Sequence, residues 1–162
     1  MKQDPEHIFD PARPAPVLIR SLCALKHDEV PHAAAAITGL LGHAAPEVRA
    51  EALSALLVTG RIATHRHYAV RSLSRDADEG VRAKAAYGIA ATTSEASRRE
   101  DLALLVRVLR NAHESTEVQR AAYEGLLLMF HRPEFPDSLE EFDARRDVDW
   151  NWIGELELLY GG

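Results

Sequence analysis

The stretch PEVRAEALSAL at residues 46–56 is central to the fold of this 162-residue chain, because related stretches recur further along. They are DEGVRAKAA at residues 78–86 and TEVQRAA at residues 116–122. In each segment a valine is followed by an alanine four positions later and by an aliphatic residue four positions after that. This i, i+4, i+8 spacing places all three residues on one helical face, and the small central residue lets a neighbouring helix approach closely.

The same spacing occurs in a weaker form near the start of the chain, with serine as the small residue. The four sets are Val17-Ser21-Leu25, Val48-Ala52-Leu56, Val81-Ala85-Ile89 and Val118-Ala122-Leu126. Successive valines are 31, 33 and 37 residues apart, which leaves room for two short helices and two turns in each repeat. The stretches between them, 30–42, 64–74 and 97–111, carry apolar residues at helical spacing and predict the partner helices.

The composition favours helices and excludes several classes of protein. Alanine (26) and leucine (20) are strong helix formers, whereas the residues that favour strands are scarce. The single cysteine, Cys23, excludes an internal disulfide and a zinc site built from cysteines. No apolar run approaches the ~20 residues that span a bilayer, and residues 1–10 are too polar for a signal peptide. We therefore expect a cytoplasmic, all-α protein that does not contact membranes.

The repeated stretches resemble the second helix of HEAT repeats, most closely the short bacterial type found in phycobilisome-lyase-like repeat proteins. In that family an acidic residue precedes a Val-Arg pair, and the arginines form a ladder between stacked repeats. Arg49 and Arg82 fit this pattern, Gln119 replaces the arginine in the last copy, and the first segment matches least well. The resemblance covers roughly residues 15–131. It implies a right-handed α–α superhelix (a HEAT-like, ARM-type solenoid) of about three to four helix pairs with a C-terminal capping segment.

The chain divides into three regions. Residues 1–14 are rich in proline and are expected to form an extended N-terminal arm. Residues 15–132 are the expected helical repeat array, and residues 133–162 are an acidic cap or tail that contains both tryptophans. Within that last region a capping box at 138–141 predicts a short helix, and Asp149 is expected to cap a final helix over 150–160.

The net charge of −6 is concentrated at the C-terminus. Residues 1–133 hold 17 basic and 16 acidic side chains, whereas residues 134–162 hold two basic and nine acidic ones. This asymmetry indicates either that the tail binds a basic partner or that it is a solvated tail with no partner. The tryptophans argue against simple disorder, so a binding arm and a hydrophobic cap on the open end of the array are both open alternatives.

No catalytic, cofactor or metal residue is expected. The eight histidines lack the His-x-x-x-His spacing that would place two metal ligands on one helix face, and His65 and His67 would point apart. Cys23 has no nearby base in the sequence, and we expect it to be half-buried and structural. Neighbouring acids such as Asp147 and Asp149 are typical of a solvated face.

The expected contact residues lie on the second helix of each repeat and in the tail. In HEAT-like solenoids these helices line the concave surface, and positions three and six after each valine point away from the core. An array of mixed charge with one aromatic suits protein recognition, and its near-neutral balance disfavours nucleic acid. The predicted residues are Arg20, Glu51, Ser54, Lys84, Tyr87, Arg120 and Glu124 (the inner row), with Asp147, Asp149, Trp150 and Trp152 in the tail.

Three functions are compatible with the sequence. The leading hypothesis is a non-catalytic module that binds another protein through its concave face, its acidic tail or both. A narrower version is a bacterial immunity protein that neutralises a basic toxin, since electrostatic steering speeds such capture. The third, which rests on the resemblance alone, is a bilin lyase-like protein that handles a chromophore.

Overall fold

A computed structural model describes residues 5–132 and 142–161, and no strand occurs in these two ranges. The all-α prediction is therefore confirmed. The helices are α1 (Pro5–Ile8), α2 (Ala15–Cys23), α3 (Val30–Gly39), α4 (Pro46–Ser54), α5 (Arg66–Arg75), α6 (Glu79–Ala91), α7 (Arg98–Arg110), α8 (Thr116–Met129), α9 (Ala144–Asp147) and α10 (Trp150–Tyr160). A π-helical segment, Ala55–Thr59, continues α4, and short 3₁₀ turns occur at Leu40–Gly42 and Ala63–His65. None of the helices in the described ranges is long and apolar enough to cross a membrane.

Three helices, α4, α6 and α8, form a row in which each packs against the next. The partner helices lie beside them: α5 packs against α6, α7 against α8, and α3 against the π-helical segment that follows α4. The helices predicted at 30–42, 64–74 and 97–111 are present with ends close to those expected. At the two ends of the array, α2 packs against α4 and α10 packs against α7.

The predicted helix-crossing residues form the centre of the core. All nine in the last three repeats are fully buried: Val48, Ala52, Leu56, Val81, Ala85, Ile89, Val118, Ala122 and Leu126. Gly88 on α6 shows how closely the helices approach, because a Cβ added there would lie 2.9 Å from Leu57 Cδ1. Small residues are therefore required where these helices cross.

The N-terminal part of the chain differs from expectation. On α2 the buried residues are Leu18 and Leu22, not the set that begins at Val17, so the buried stripe is shifted by one position. The physical reason is that two leucines remove more apolar surface from water than Val17 and Ser21 would. Residues 5–8 form a helical turn in place of an extended arm. Proline is favourable at the first position of a helix, and α1 packs against α3.

Arg49 joins two successive turns of the array. Its Nη1 donates hydrogen bonds to the carbonyl oxygens of His43 (2.9 Å) and Ala44 (3.1 Å), in the turn that precedes its own helix. Its Nε and Nη2 donate to the carboxylate of Asp76 in the following turn, at 2.9 and 2.8 Å. One side chain thus satisfies two turn carbonyls and binds the next repeat.

Arg82 makes the same contacts one repeat later. Its Nη1 donates to the carbonyl oxygens of Asp76 (3.0 Å) and Ala77 (2.9 Å), and its Nη2 donates to Glu114 Oε1 at 2.8 Å. Hydrogen bonds from Arg49 lower the pKa of Asp76. Burial raises the pKa of Glu114, but hydrogen bonds from Arg82 and from a backbone N–H outweigh it, so that pKa is also lowered. Arg49 and Arg82 therefore make equivalent contacts at successive turns, and we refer to these contacts as the ladder.

The ladder ends at Gln119. Its Nε2 donates to the carbonyl oxygens of Leu109 (3.1 Å) and Asn111 (3.0 Å), so it fulfils the turn-binding half of the arginine's role. The amide is too short to reach an acid in a following repeat. Glutamine thus replaces arginine in the helix pair formed by α7 and α8.

A third ion pair, which the sequence did not predict, connects α5 and α7. Arg66 at the start of α5 donates from Nε to Asp101 Oδ1 on α7 at 2.8 Å, and Thr93 Oγ1 donates to Asp101 Oδ2 at 2.9 Å. The Asp101 side chain is fully buried. A buried carboxylate must be paired and hydrogen-bonded, and here both requirements are met.

The variant Asp76→Asn should lower the free energy of unfolding at pH 7 by about 2 kcal/mol, because Arg49 loses its charged partner while the amide still fits. The lowered pKa of Asp76 means that the carboxylate's contribution is present above its unfolded pKa and is lost as the pH falls through the folded pKa. The free energy of unfolding, measured with urea between pH 7 and pH 3, should therefore change less with pH in the variant than in the parent.

The matched control for this measurement is Glu95→Gln. Glu95 pairs with Arg98 at 2.8 Å, but its side chain is 81% exposed. Such pairs contribute little, so the stability should be almost unchanged. If both variants lost the same amount of unfolding free energy, the ladder would not stabilise the fold more than an exposed ion pair does.

Candidate interaction surfaces

Five residues of the inner row line a single groove of about 430 Å³ that spans α4, α6 and α8. They are Ser54, Lys84, Tyr87, Arg120 and Glu124. Gly80, Ala83 and Ala121 line it as well, and these small residues leave space between the longer side chains. The structure therefore brings together side chains from three successive repeats.

The groove carries charges of both signs. Lys84 Nζ lies 3.6 Å from Oε1 of Glu51, which is beside the groove, and Arg120 Nε lies 3.5 Å from Glu124 Oε1. Burial raises the pKa of Glu124, and the nearby Arg120 partly offsets that effect. The Lys84 contact is long for an ion pair, so this cation can exchange partners at little cost.

Arg20 is not part of this surface. It is exposed on α2 and does not line the groove. Its predicted place depended on Val17 being buried, so the shifted stripe of α2 changes the direction of every side chain on that helix.

Cys23 is also placed differently from the expectation of a half-buried residue. It is exposed, and its Sγ lies 3.6 Å from Glu51 Oε2. Local desolvation and the Glu51 carboxylate raise the pKa of the thiol. A raised pKa lowers the thiolate fraction, so the environment does not activate Cys23 as a nucleophile.

The sequence analysis missed five of the residues that line the groove: Val58, Gly80, Ala83, Glu117 and Ala121. Gly80 lies four positions before Lys84, and Glu117 lies three positions before Arg120. Both therefore share a helix face with a predicted residue. Extending the inner row by one turn toward the helix N-termini would have identified these two.

The described part of the C-terminal region, residues 142–161 (the cap), packs on the end of the array. Helix α10 has the predicted bounds, and its Ile153 and Leu156 are buried against the rest of the protein. Asp149 caps it as expected, because its Oδ1 accepts a hydrogen bond from the Trp152 N–H at 3.0 Å. The predicted capping box at 138–141 lies outside the described residues.

The two tryptophans contact the array. Trp152 makes edge-on ring contacts with Tyr123 (6.4 Å between centroids) and Phe130 (6.2 Å), and the Arg132 guanidinium lies 4.8 Å from its ring centre. The Arg110 guanidinium of α7 lies 5.9 Å from the Trp150 ring centre, and within the cap Trp150 donates from Nε1 to the Ala144 carbonyl oxygen at 2.9 Å. Such aromatic and cation–π contacts each add stabilisation beyond the area that they bury.

Three acids of the cap, Asp147, Asp149 and Glu157, are paired with arginines. Glu157 accepts two hydrogen bonds from Arg110 of α7 (2.8 and 2.7 Å), and Asp149 accepts one from Arg132 at 3.0 Å. Arg146 and a backbone N–H bind Asp147 and lower its pKa to about 2. None of the four predicted tail residues lines the groove. In the described ranges, the tail contributes to the end of the array and not to the groove.

No group of three His, Cys, Asp or Glu side chains in residues 5–132 and 142–161 is arranged to hold a metal ion. The sequence matches no protein-family model, no curated protein and no solved structure. Any function must therefore be argued from the geometry of the groove and of the cap.

The cap can be tested as a structural element with two substitutions on α10. Ile153→Ala removes a fully buried side chain and should lower the free energy of unfolding by about 2–4 kcal/mol. Leu159→Ala removes a side chain that is 75% exposed and should change it little. Chemical unfolding followed by circular dichroism measures both. If Ile153→Ala were as stable as the parent, α10 would not be a packed part of the fold.

Proposed function

We propose that this protein is a non-catalytic interaction module that binds another protein in the groove formed by α4, α6 and α8. The observation that carries the proposal is the convergence of five predicted contact residues, from three successive repeats, on that one groove. The proposal includes a HEAT-like, right-handed superhelix with these three helices on the concave face. The packing order of the helices and the ladder of Arg49 and Arg82 support this arrangement.

The chemistry of the groove suggests what it binds. Tyr87 offers a partly buried aromatic ring, the residue type that most often anchors protein interfaces. Lys84 and Arg120 alternate with Glu117 and Glu124 along the walls. A partner segment with an apolar side chain flanked by an acid and a base would fit this pattern.

The contacts of the cap favour a structural role for the tail over a role in which the tail binds a partner. Asp147, Asp149 and Glu157 already pair with arginines of this chain, so their charges are partly neutralised. No contact in the described part of the chain favours the immunity or bilin hypotheses, and the proposal does not extend to them. The exposed thiol of Cys23 suits a reducing compartment, which supports a cytoplasmic location.

The proposal predicts that a photo-crosslinking amino acid at position 87 will capture a partner in the cells that make the protein. The same group at position 20, outside the groove, is the matched control and should capture none. Once the partner is purified, Tyr87→Ala should weaken binding by about 30-fold, as expected for an anchor residue. Isothermal titration calorimetry measures the dissociation constant.

Arg20→Ala is the control for the affinity measurement and should bind like the parent. Circular dichroism should show the same helix content in both variants. Crosslinking that is equally strong from positions 20 and 87, or an unchanged affinity for Tyr87→Ala, would refute the groove as the binding surface.

A further inference from the structure

A second cleft, of about 450 Å³, lies where the array meets the cap. It is lined by the end of α7, the start of α8 and residues 143–150, and it shares no lining residue with the groove. Its volume falls in the range of small-molecule sites. Gln119, which replaces the arginine of the ladder, lines this cleft.

Gln119 supplies a fixed hydrogen-bond acceptor to this cleft. The residue is more than nine-tenths buried, and its Nε2 donates to the carbonyl oxygens of Leu109 and Asn111. These two bonds determine the orientation of the amide, so the nitrogen and the oxygen cannot be exchanged. No donor in the described ranges contacts Oε1. Since Gln119 lines the cleft, its free acceptor is available to a ligand there.

The cleft also has one cation and one anion that are open to a ligand. The Arg145 guanidinium makes no ion pair with any residue that the structure describes. Asp143 lies two positions earlier, and its Oδ1 accepts only the Arg145 N–H, at 2.9 Å. Arg110 attracts an anion less strongly than Arg145 does, because Glu157 already accepts two hydrogen bonds from it.

The remaining wall is apolar and rigid. The Trp150 indole is held by its bond to the Ala144 carbonyl oxygen, and Leu109 lines the cleft beside it. The Arg110 guanidinium lies 5.9 Å from the centre of the Trp150 ring, and an apolar side chain beside this ring and Leu109 would be removed from water. The cleft therefore combines a cation, an anion, a neutral acceptor and an apolar surface.

We propose that this cleft binds a free α-amino acid with an apolar side chain. The carboxylate would pair with Arg145, the ammonium would donate to Asp143 and to Gln119 Oε1, and the side chain would lie against Trp150 and Leu109. A simple anion would leave the charge of Asp143 and the acceptor of Gln119 unused, and a simple cation would leave the charge of Arg145 unused. A zwitterion satisfies all three groups.

Titration of the whole protein with L-leucine and L-phenylalanine tests the proposal, with calorimetry and tryptophan fluorescence as readouts. N-acetyl-L-leucine and L-leucinamide each lack one of the two charges and should bind at least tenfold more weakly than L-leucine. An acetylated compound that binds as well as leucine would show an anion site, and an amide that does so would show a cation site. Either result, or no saturable binding up to about 10 mM, would overturn the proposal.

Two variants locate the site. Arg145→Ala removes the carboxylate partner, and Asp143→Asn removes the ammonium's charged partner while keeping a residue that caps helices well. Each should weaken leucine binding at least tenfold with an unchanged melting temperature. Arg107→Ala removes an exposed arginine of α7 outside the cleft and should bind like the parent. Equal affinity of all three variants would place any binding elsewhere.

Discussion

In the turns that precede α4 and α6, carbonyl groups lack helical partners and need hydrogen-bond donors. Arg49 and Arg82 supply these donors and, with the same guanidinium, bind an acid in the following turn. The planar fork of arginine makes this double role possible, and a lysine could not reproduce it. By tying turn to turn, the ladder fixes how each helix of the central row is placed against the next.

That placement has a consequence for the surface. Because the valines, alanines and aliphatic residues of α4, α6 and α8 all point into the core, the side chains three and six positions later lie together on another face. The groove is the result. Its residues are far apart in the sequence but equivalent in their repeats, so the regularity of the core produces the regularity of the site.

The other surface lies where the ladder ends. Gln119 binds the turn carbonyls without reaching onward, and the cap packs against the exposed faces of α7 and α8 through Ile153, Leu156 and Trp152. Ile153 and Leu156 of the cap are buried there and so are removed from water. The cleft lined by Gln119 lies between the described part of the cap and the helices α7 and α8.

The sequence was enough to predict the helices, their approximate ends, the nine buried crossing residues, the cap of α10 and five of the ten residues that line the groove, because these depend on local periodicity and local hydrogen bonds. It misjudged α2, where a shift of one position exchanges buried and exposed residues. Only the tertiary structure decided which charges pair: Arg82 with Glu114, Arg66 with Asp101 and Arg110 with Glu157 are separated by 32, 35 and 47 positions. The reason is physical. The sequence determines which way a side chain points on its own helix, whereas its partner is determined by how the helices stack.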